Sequence, residues 1–254
     1  MAYTLIVSVT TLTLSSAILE KSSNINLTGV LFFGFIGLFA PSLVRYLTYI
    51  GVDKVGPSRS EQIRSLTPLF AILFAIIFLD EKLTIGVIVS ISLILSGIMT
   101  LIKNKEQKNW HARDLIFPFM AAVLAGAAAN LRKFGFELLP SPLIAASATS
   151  ISALIAFPLY MKIQGKTDKI NLAVATWPLL IIAGLLNSIS ILLNLYALKL
   201  GNVTTVVTIL ASTPLFVILV SAIFLKKVEM ITKNLIISAV LIFTGIQILI
   251  FYGN

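Results

Sequence analysis

Apolar residues run along this chain in stretches of roughly 20, the length a helix needs to cross the ~30 Å hydrocarbon core of a bilayer. Short polar clusters separate the stretches. Nine of them predict nine membrane helices: α1 at 2–19, α2 at 27–50, α3 at 59–79, α4 at 83–102, α5 at 115–135, α6 at 142–161, α7 at 174–198, α8 at 203–225 and α9 at 232–252. A polar segment, 103–114, lies between α4 and α5. Helices are expected because lipid offers backbone groups no partner outside their own segment, and a barrel would show short alternating strands. The first stretch follows Met1 without a basic n-region or a small-residue cleavage site, so it reads as a retained span. The fold class is all-α, a polytopic membrane bundle.

The pattern also repeats. Residues 81–102 align without a gap on 229–250, matching at Glu81/Glu229, Thr84/Thr232, Ser90/Ser238, Ile94/Ile242 and Gly97/Gly245. Upstream, Thr67-Pro68-Leu69-Phe70 matches Thr213-Pro214-Leu215-Phe216, and Gly37, Leu38 and Tyr49 match Gly184, Leu185 and Tyr196. Leu and Ile coincide easily between apolar helices; Pro, Gly, Tyr and Glu in one order do not. So α2–α4 correspond to α7–α9, and α1 corresponds by position to α6. The expected organisation is a four-helix first repeat at 1–102, the polar segment at 103–114 and a five-helix second repeat at 115–254. Two five-helix halves would lie upside-down to one another, the inverted-topology plan of many secondary transporters.

These residues resemble the EamA-type drug/metabolite transporter superfamily. The likeness is carried by Leu66-Thr67-Pro68-Leu69-Phe70 with Leu79-Asp80-Glu81-Lys82-Leu83-Thr84, and by Ser212-Thr213-Pro214-Leu215-Phe216 with Gly245. It covers essentially the whole chain. The resemblance implies a ten-helix carrier of small metabolites, often an exporter, working through a central cavity between its halves. Against that pattern the first helix is missing. That difference leaves a second reading open, a non-transporting integral membrane component or degenerate paralogue. In the second repeat the acidic position falls on Glu229, preceded by Lys226 and Lys227.

Charge adds a conflict over orientation. The face with the α2–α3, α4–α5, α6–α7 and α8–α9 connections carries twelve Lys and Arg, and the opposite face only Lys21, Lys82, Arg132, Lys133 and Lys199. The positive-inside rule places the richer face in the cytoplasm, whereas the resemblance implies that it lies outside.

Composition narrows the function classes. Hydrophobic residues make up 58% and charged residues 11%, against about 25% charged in soluble domains, so no soluble domain is expected. The net charge of +9 sits between apolar runs, as in loops beside anionic headgroups, and nucleic acid is not an expected partner. There is no Cys, and the single His111 lies in the polar segment. A metal site needs more ligands than that, and no nucleophile with its base stands out. The expectation is no enzyme, no metal and no cofactor. The expected setting is a multi-pass protein of the cell membrane, with a small-molecule solute, the bilayer, a coupling proton and a second copy of the chain as partners.

Candidate site residues come from polar positions inside the spans. The clean apolar run of α3, 65–79, has 15 residues, roughly 22 Å, so α3 must draw in Arg59, Glu61, Gln62 and Arg64 to cross. Charges at membrane depth cost about 2.5–3.5 kcal/mol each, so they normally face a partner or a polar interior. Glu61 and Arg64, three residues apart, can pair on one helix face. Arg45, about six residues from the end of α2, lies at a similar depth and could meet Glu61. Two readings stand for this group: a cavity lining that meets solute or proton, or snorkelling to headgroups. A cationic site would favour anionic or zwitterionic, amino-acid-like metabolites, with Asn187 opposite.

Asn187 and Asn194, seven residues apart, point to one side of α7. Asn130 follows Ala122 and Gly126 at four-residue spacing, a small-residue stripe that lets another helix approach and be bonded across it. For both, packing and solute contact remain open. Pro68 and Pro214 lack the N–H that would take a carbonyl one turn upstream and are expected hinges. Tyr49 and Tyr196 close α2 and α7, as interface anchors or as cavity wall. Glu81 and Glu229 precede the last helix of each repeat and are expected to cap it.

Overall fold

The computed structural model describes residues 2–20, 26–55, 60, 63, 64, 66–101, 111–163, 177–213, 216 and 233–252. Among the described residues every regular element is helical, in nine segments. They are α1 (Ala2–Leu19), α2 (Leu27–Val55), α3 (Thr67–Leu79), α4 (Ile85–Leu101), α5 (Ile116–Leu138), α6 (Pro142–Ile163), α7 (Trp177–Leu200), α8 (Val203–Leu210) and α9 (Lys233–Tyr252). The stretches Leu27–Val55, Arg113–Leu138 and Trp177–Leu200 are long and apolar enough to cross a membrane. Large apolar side chains such as Leu186 and Leu193 stand exposed on α7, as lipid-facing positions do.

The largest departure from the expected elements is in α2. It runs on to Val55, and it is not one uniform helix: it is α-helical to Gly37, takes a π-turn over Leu38–Leu43 and resumes as α-helix at Val44. Ala40 is extended, at φ −131° and ψ 107°. Pro41 causes this, because its ring crowds the preceding residue out of the helical region and it offers no N–H to the ladder. In the second repeat Ser188 stands at the matching position, and α7 is unbroken from Trp177 to Leu200.

The described chain forms two compact units, Met1–Tyr46 with Leu131–Leu200, and Leu47–Asn130 with Gly201–Asn254. Each unit draws on both sequence repeats. In the first, α1 packs on α6 and α7, and α2 packs on α6. Under the repeat correspondence, the α2–α6 contact is the image of the α7–α1 contact, and α1–α6 is its own image.

In the second unit α4 packs on its own repeat image α9, and α3 on its image α8. Gly86 at the start of α4 meets the end of α9 so closely that a Cβ there would lie 1.9 Å from the Tyr252 carbonyl oxygen. Further along, Gly245 lies against Ser90 and Leu93, and Ile94 and Ile242, a repeat-matched pair, are buried in one cluster. The helices α4 and α9 therefore run antiparallel and meet at the matched pair Ile94 and Ile242. A local two-fold axis across the helix pair produces that self-complementary contact, so the two repeats are inverted, as the helix count implied.

Small residues bring these helices together. Lipid is as apolar as a Leu side chain, so helices associate in it through close backbone approach and polar bonds. In the first unit Thr149 Oγ1 donates to the Phe33 carbonyl at 3.3 Å, Ser42 Oγ to the Ala153 carbonyl at 3.3 Å, and Ser147 Oγ to Ser16 Oγ at 3.3 Å. In the second, a Cβ on Gly126 would sit 2.7 Å from the Ala71 nitrogen, so α5 crosses α3 backbone to backbone. One turn on, Asn130 Nδ2 donates to the carbonyls of Ala71 at 2.9 Å and Gly126 at 3.0 Å. The small-residue stripe ending in an amide works as its spacing suggested.

Candidate solute-binding site

Within the first unit the helices enclose a cavity of about 230 Å³. It is lined by Leu5 of α1, Pro41 and Arg45 of α2, Arg132 of α5, Thr149, Ser150 and Ala153 of α6, and Ser190, Ile191, Leu195, Asn187 and Asn194 of α7. The lining mixes a Leu, Ile and Pro floor with two guanidinium groups, two amides and three hydroxyls. Among the described residues that line it, none is Asp or Glu.

The break in α2 shapes this cavity. Extended backbone at Ala40 takes its carbonyl out of the helical ladder, and Arg132 Nη2 donates to that oxygen at 3.2 Å. Arg132 lies six residues before the end of α5 at Leu138, roughly 9 Å inside it. Its Nε is buried and has no hydrogen-bond partner among the described residues. Across the cavity, Asn187 Nδ2 donates to Ser8 Oγ at 2.9 Å, and Ser8 Oγ donates to the Gly184 carbonyl at 3.1 Å. Thr11 and Ser188 hydroxyls meet at 2.8 Å in the same α1–α7 seam. This seam holds the Asn187 amide in one orientation.

Of the residues singled out from the sequence, Arg45, Asn187 and Asn194 come together here. Arg45 is ten residues from Val55, deeper than a helix ending at residue 50 would place it. Tyr196 is not in the lining and is 41% exposed on α7. Tyr49 and Arg64 belong to the second unit and are half-buried there, while Asn130 of that unit is occupied in the α3–α5 crossing. Glu61, Gln62 and Pro214 lie outside the described residues.

Pro68 does not bend the middle of a helix. It stands in the first turn of α3, which begins at Thr67, where its missing N–H would have had no intrahelical partner. The carbonyl four residues upstream, on Arg64, accepts instead from Thr67 Oγ1 at 2.7 Å. In the second repeat Thr213 Oγ1 donates to the Leu210 carbonyl at 2.6 Å in the same register. The Thr-Pro pair thus supplies its own substitute donor. Thr67→Val should lower stability by about 0.5–2 kcal/mol through the unpaired carbonyl, and Thr67→Ser should restore it; thermal unfolding in detergent measures both.

Glu81 caps a helix, but not the one that follows it. Its two carboxylate oxygens accept from the backbone N–H groups of Val203 at 2.6 Å and Thr204 at 2.9 Å, in the first turn of α8. Asp80, in the left-handed region at φ 51°, turns the chain at the end of α3 just before it.

Arg132 is the residue that sequence reasoning missed. With Lys133 it sits near the end of an apolar run and reads as a connection cation. The available signal was Phe134-Gly135-Phe136, which continues the apolar pattern past the charge and draws Arg132 inside the span.

Inverted repeats, apolar spans and a polar cavity among them define the class of membrane transporters for small solutes. Residues 1–103 and 113–251 match the EamA-like transporter family, and the chain belongs to that family. It is accordingly an integral membrane protein. A solved structure described as "Crystal structure of protein" superposes with a TM-score of 0.65 over 97% of this chain and 94% of that chain, at 16% identity, which shows a common fold. No protein of curated function matches the chain in sequence.

Proposed function

We propose that the chain is a secondary carrier, not an enzyme, that moves a small amino-acid-like metabolite by alternating access, with the first-unit cavity as its solute site. One observation carries this reading: Arg45 and Arg132 are both held in a cavity within membrane helices. Each such charge costs about 2.5–3.5 kcal/mol at depth, an expense that membrane proteins keep at solute and ion pathways. Inverted repeats add a scaffold that can present one site to either side by rocking. Drug-sized ligands occupy pockets of about 300–1,000 Å³, so a cavity of about 230 Å³ suits a smaller solute.

Counterflow into proteoliposomes tests the proposal. Vesicles preloaded with amino acids and small organic acids should accumulate a labelled member of that set. Asn187→Leu, which places an apolar side chain in the cavity, should cut the rate about tenfold or more, taking loss of a buried polar contact as the origin. Leu193→Ala, at a position 63% exposed on α7, should leave the rate unchanged. Equal accumulation in protein-free vesicles for every solute would favour a non-transporting membrane component.

A further inference from the structure

We infer that Arg132 is the carboxylate anchor of the cavity, so that the solute is an organic acid or a zwitterion bound by its carboxylate end. The inference deepens the carrier proposal and rests on its choice of cavity. A guanidinium carries five N–H donors in a planar fork and can give up no proton. In Arg132 one arm is committed, Nη2 to the Ala40 carbonyl at 3.2 Å, while Nε is buried and lacks a partner among the described residues. A buried donor left without an acceptor costs about 1–3 kcal/mol. A carboxylate is the ligand group suited to that Nε–H, because it accepts a charge-assisted bond there and can take a further guanidinium N–H with its other oxygen.

The surroundings favour that ligand over others. No Asp or Glu among the described lining residues competes for the fork, and Arg45 adds a second positive charge to the same walls. The bond to Ala40 fixes the guanidinium plane against the broken part of α2, so the fork is oriented before the solute arrives. Asn187 is likewise fixed by Ser8, and with Asn194 and Ser150 it gives the cavity neutral acceptors for an ammonium or hydroxyl group. Among the described lining residues a cationic solute would meet two guanidinium groups and no carboxylate.

The test uses the purified full-length protein in detergent. Thermal stabilisation is titrated with alanine, leucine, lactate, 4-methylpentanoate and succinate, each against its amide, and with inorganic phosphate. At least one acid should bind about tenfold or more tightly than its amide, the discrimination expected when a charge-assisted fork loses its anion. Amino acids binding more tightly than the plain acids would mark the solute as a zwitterion; the reverse order would mark an organic acid.

Arg132→Lys keeps the charge and much of the stem but not the fork, and should weaken acid binding about tenfold while eluting as a monodisperse species. Arg132→Gln should abolish the preference for acid over amide. Acids and amides binding alike, none of the acids binding, phosphate alone binding, or Arg132→Lys binding acids as the parent does would each overturn the inference. Acid binding without vesicle flux of the same acid would remove the carrier reading and leave the anchor. Flux of neutral or cationic solutes, unaffected by Arg132→Lys, would do the opposite.

Discussion

Gly37→Leu should destabilise the protein by about 3 kcal/mol, the upper part of the usual range for overpacking. The reason is what a side chain would meet. A Cβ at residue 37 would lie 2.4 Å from the Thr149 carbonyl oxygen and 3.0 Å from both the Thr149 Cα and the Ser152 Cβ. Two of those three atoms are backbone, so no rotamer change makes room and α2 must move off α6. That movement also pulls on the Thr149–Phe33 and Ser42–Ala153 bonds on either side. Gly34→Ala is the matched control, because its new Cβ would meet only the Ser152 hydroxyl, at 3.1 Å, which can rotate away. Thermal unfolding in detergent should show a large drop for Gly37→Leu, a smaller one for Gly37→Ala and little for Gly34→Ala. Equal melting of all three would mean that α2 and α6 do not approach as described.

Glu81→Ala should cost about 2–3 kcal/mol, and Glu81→Gln about half of that. A helix start leaves its first N–H groups without intrahelical partners, and α8 begins with Val203 and Thr204 facing the Glu81 carboxylate at 2.6 and 2.9 Å. Hydrogen bonds to a charged group contribute about 1.5–3 kcal/mol, and the positive end of the helix dipole adds to them. Glutamine keeps one acceptor oxygen and loses the charge, so it retains part of the cap. Alanine leaves both donors bare. Local hydrogen exchange at Val203 and Thr204 would report the effect directly: faster exchange in Glu81→Ala, intermediate in Glu81→Gln. Unchanged exchange in both would show that another group caps α8. Glu229, the repeat counterpart, lies outside the described residues.

The parts of the site that could be read in advance are the ones governed by position along a single helix. Asn187 and Asn194 share a face because seven residues make nearly two turns, and both line the cavity. Asn130 follows Gly126 by one turn, and its amide bonds across the crossing that the glycine permits. Where an expectation needed a second helix, it was incomplete. Glu81 was recognisable as a cap from its place before a helix, but the N-terminus it reaches belongs to the other repeat. Pro68 was recognisable as a helix breaker, yet it falls at a helix start, while Pro41 is the proline that interrupts a span.

The all-helical class, the inverted repeat and the family follow from order along the chain. A bilayer imposes its thickness and its lack of hydrogen-bonding partners on each segment separately, and that demand is written in one dimension. The cavity is a matter of three dimensions. Arg132 becomes a wall of it because an extended residue one before Pro41 turns the Ala40 carbonyl toward α5, and because α6 and α7 close the space around both. No spacing within α5 encodes that neighbour. Which helix lies against which, and how closely their small residues let them approach, decided it.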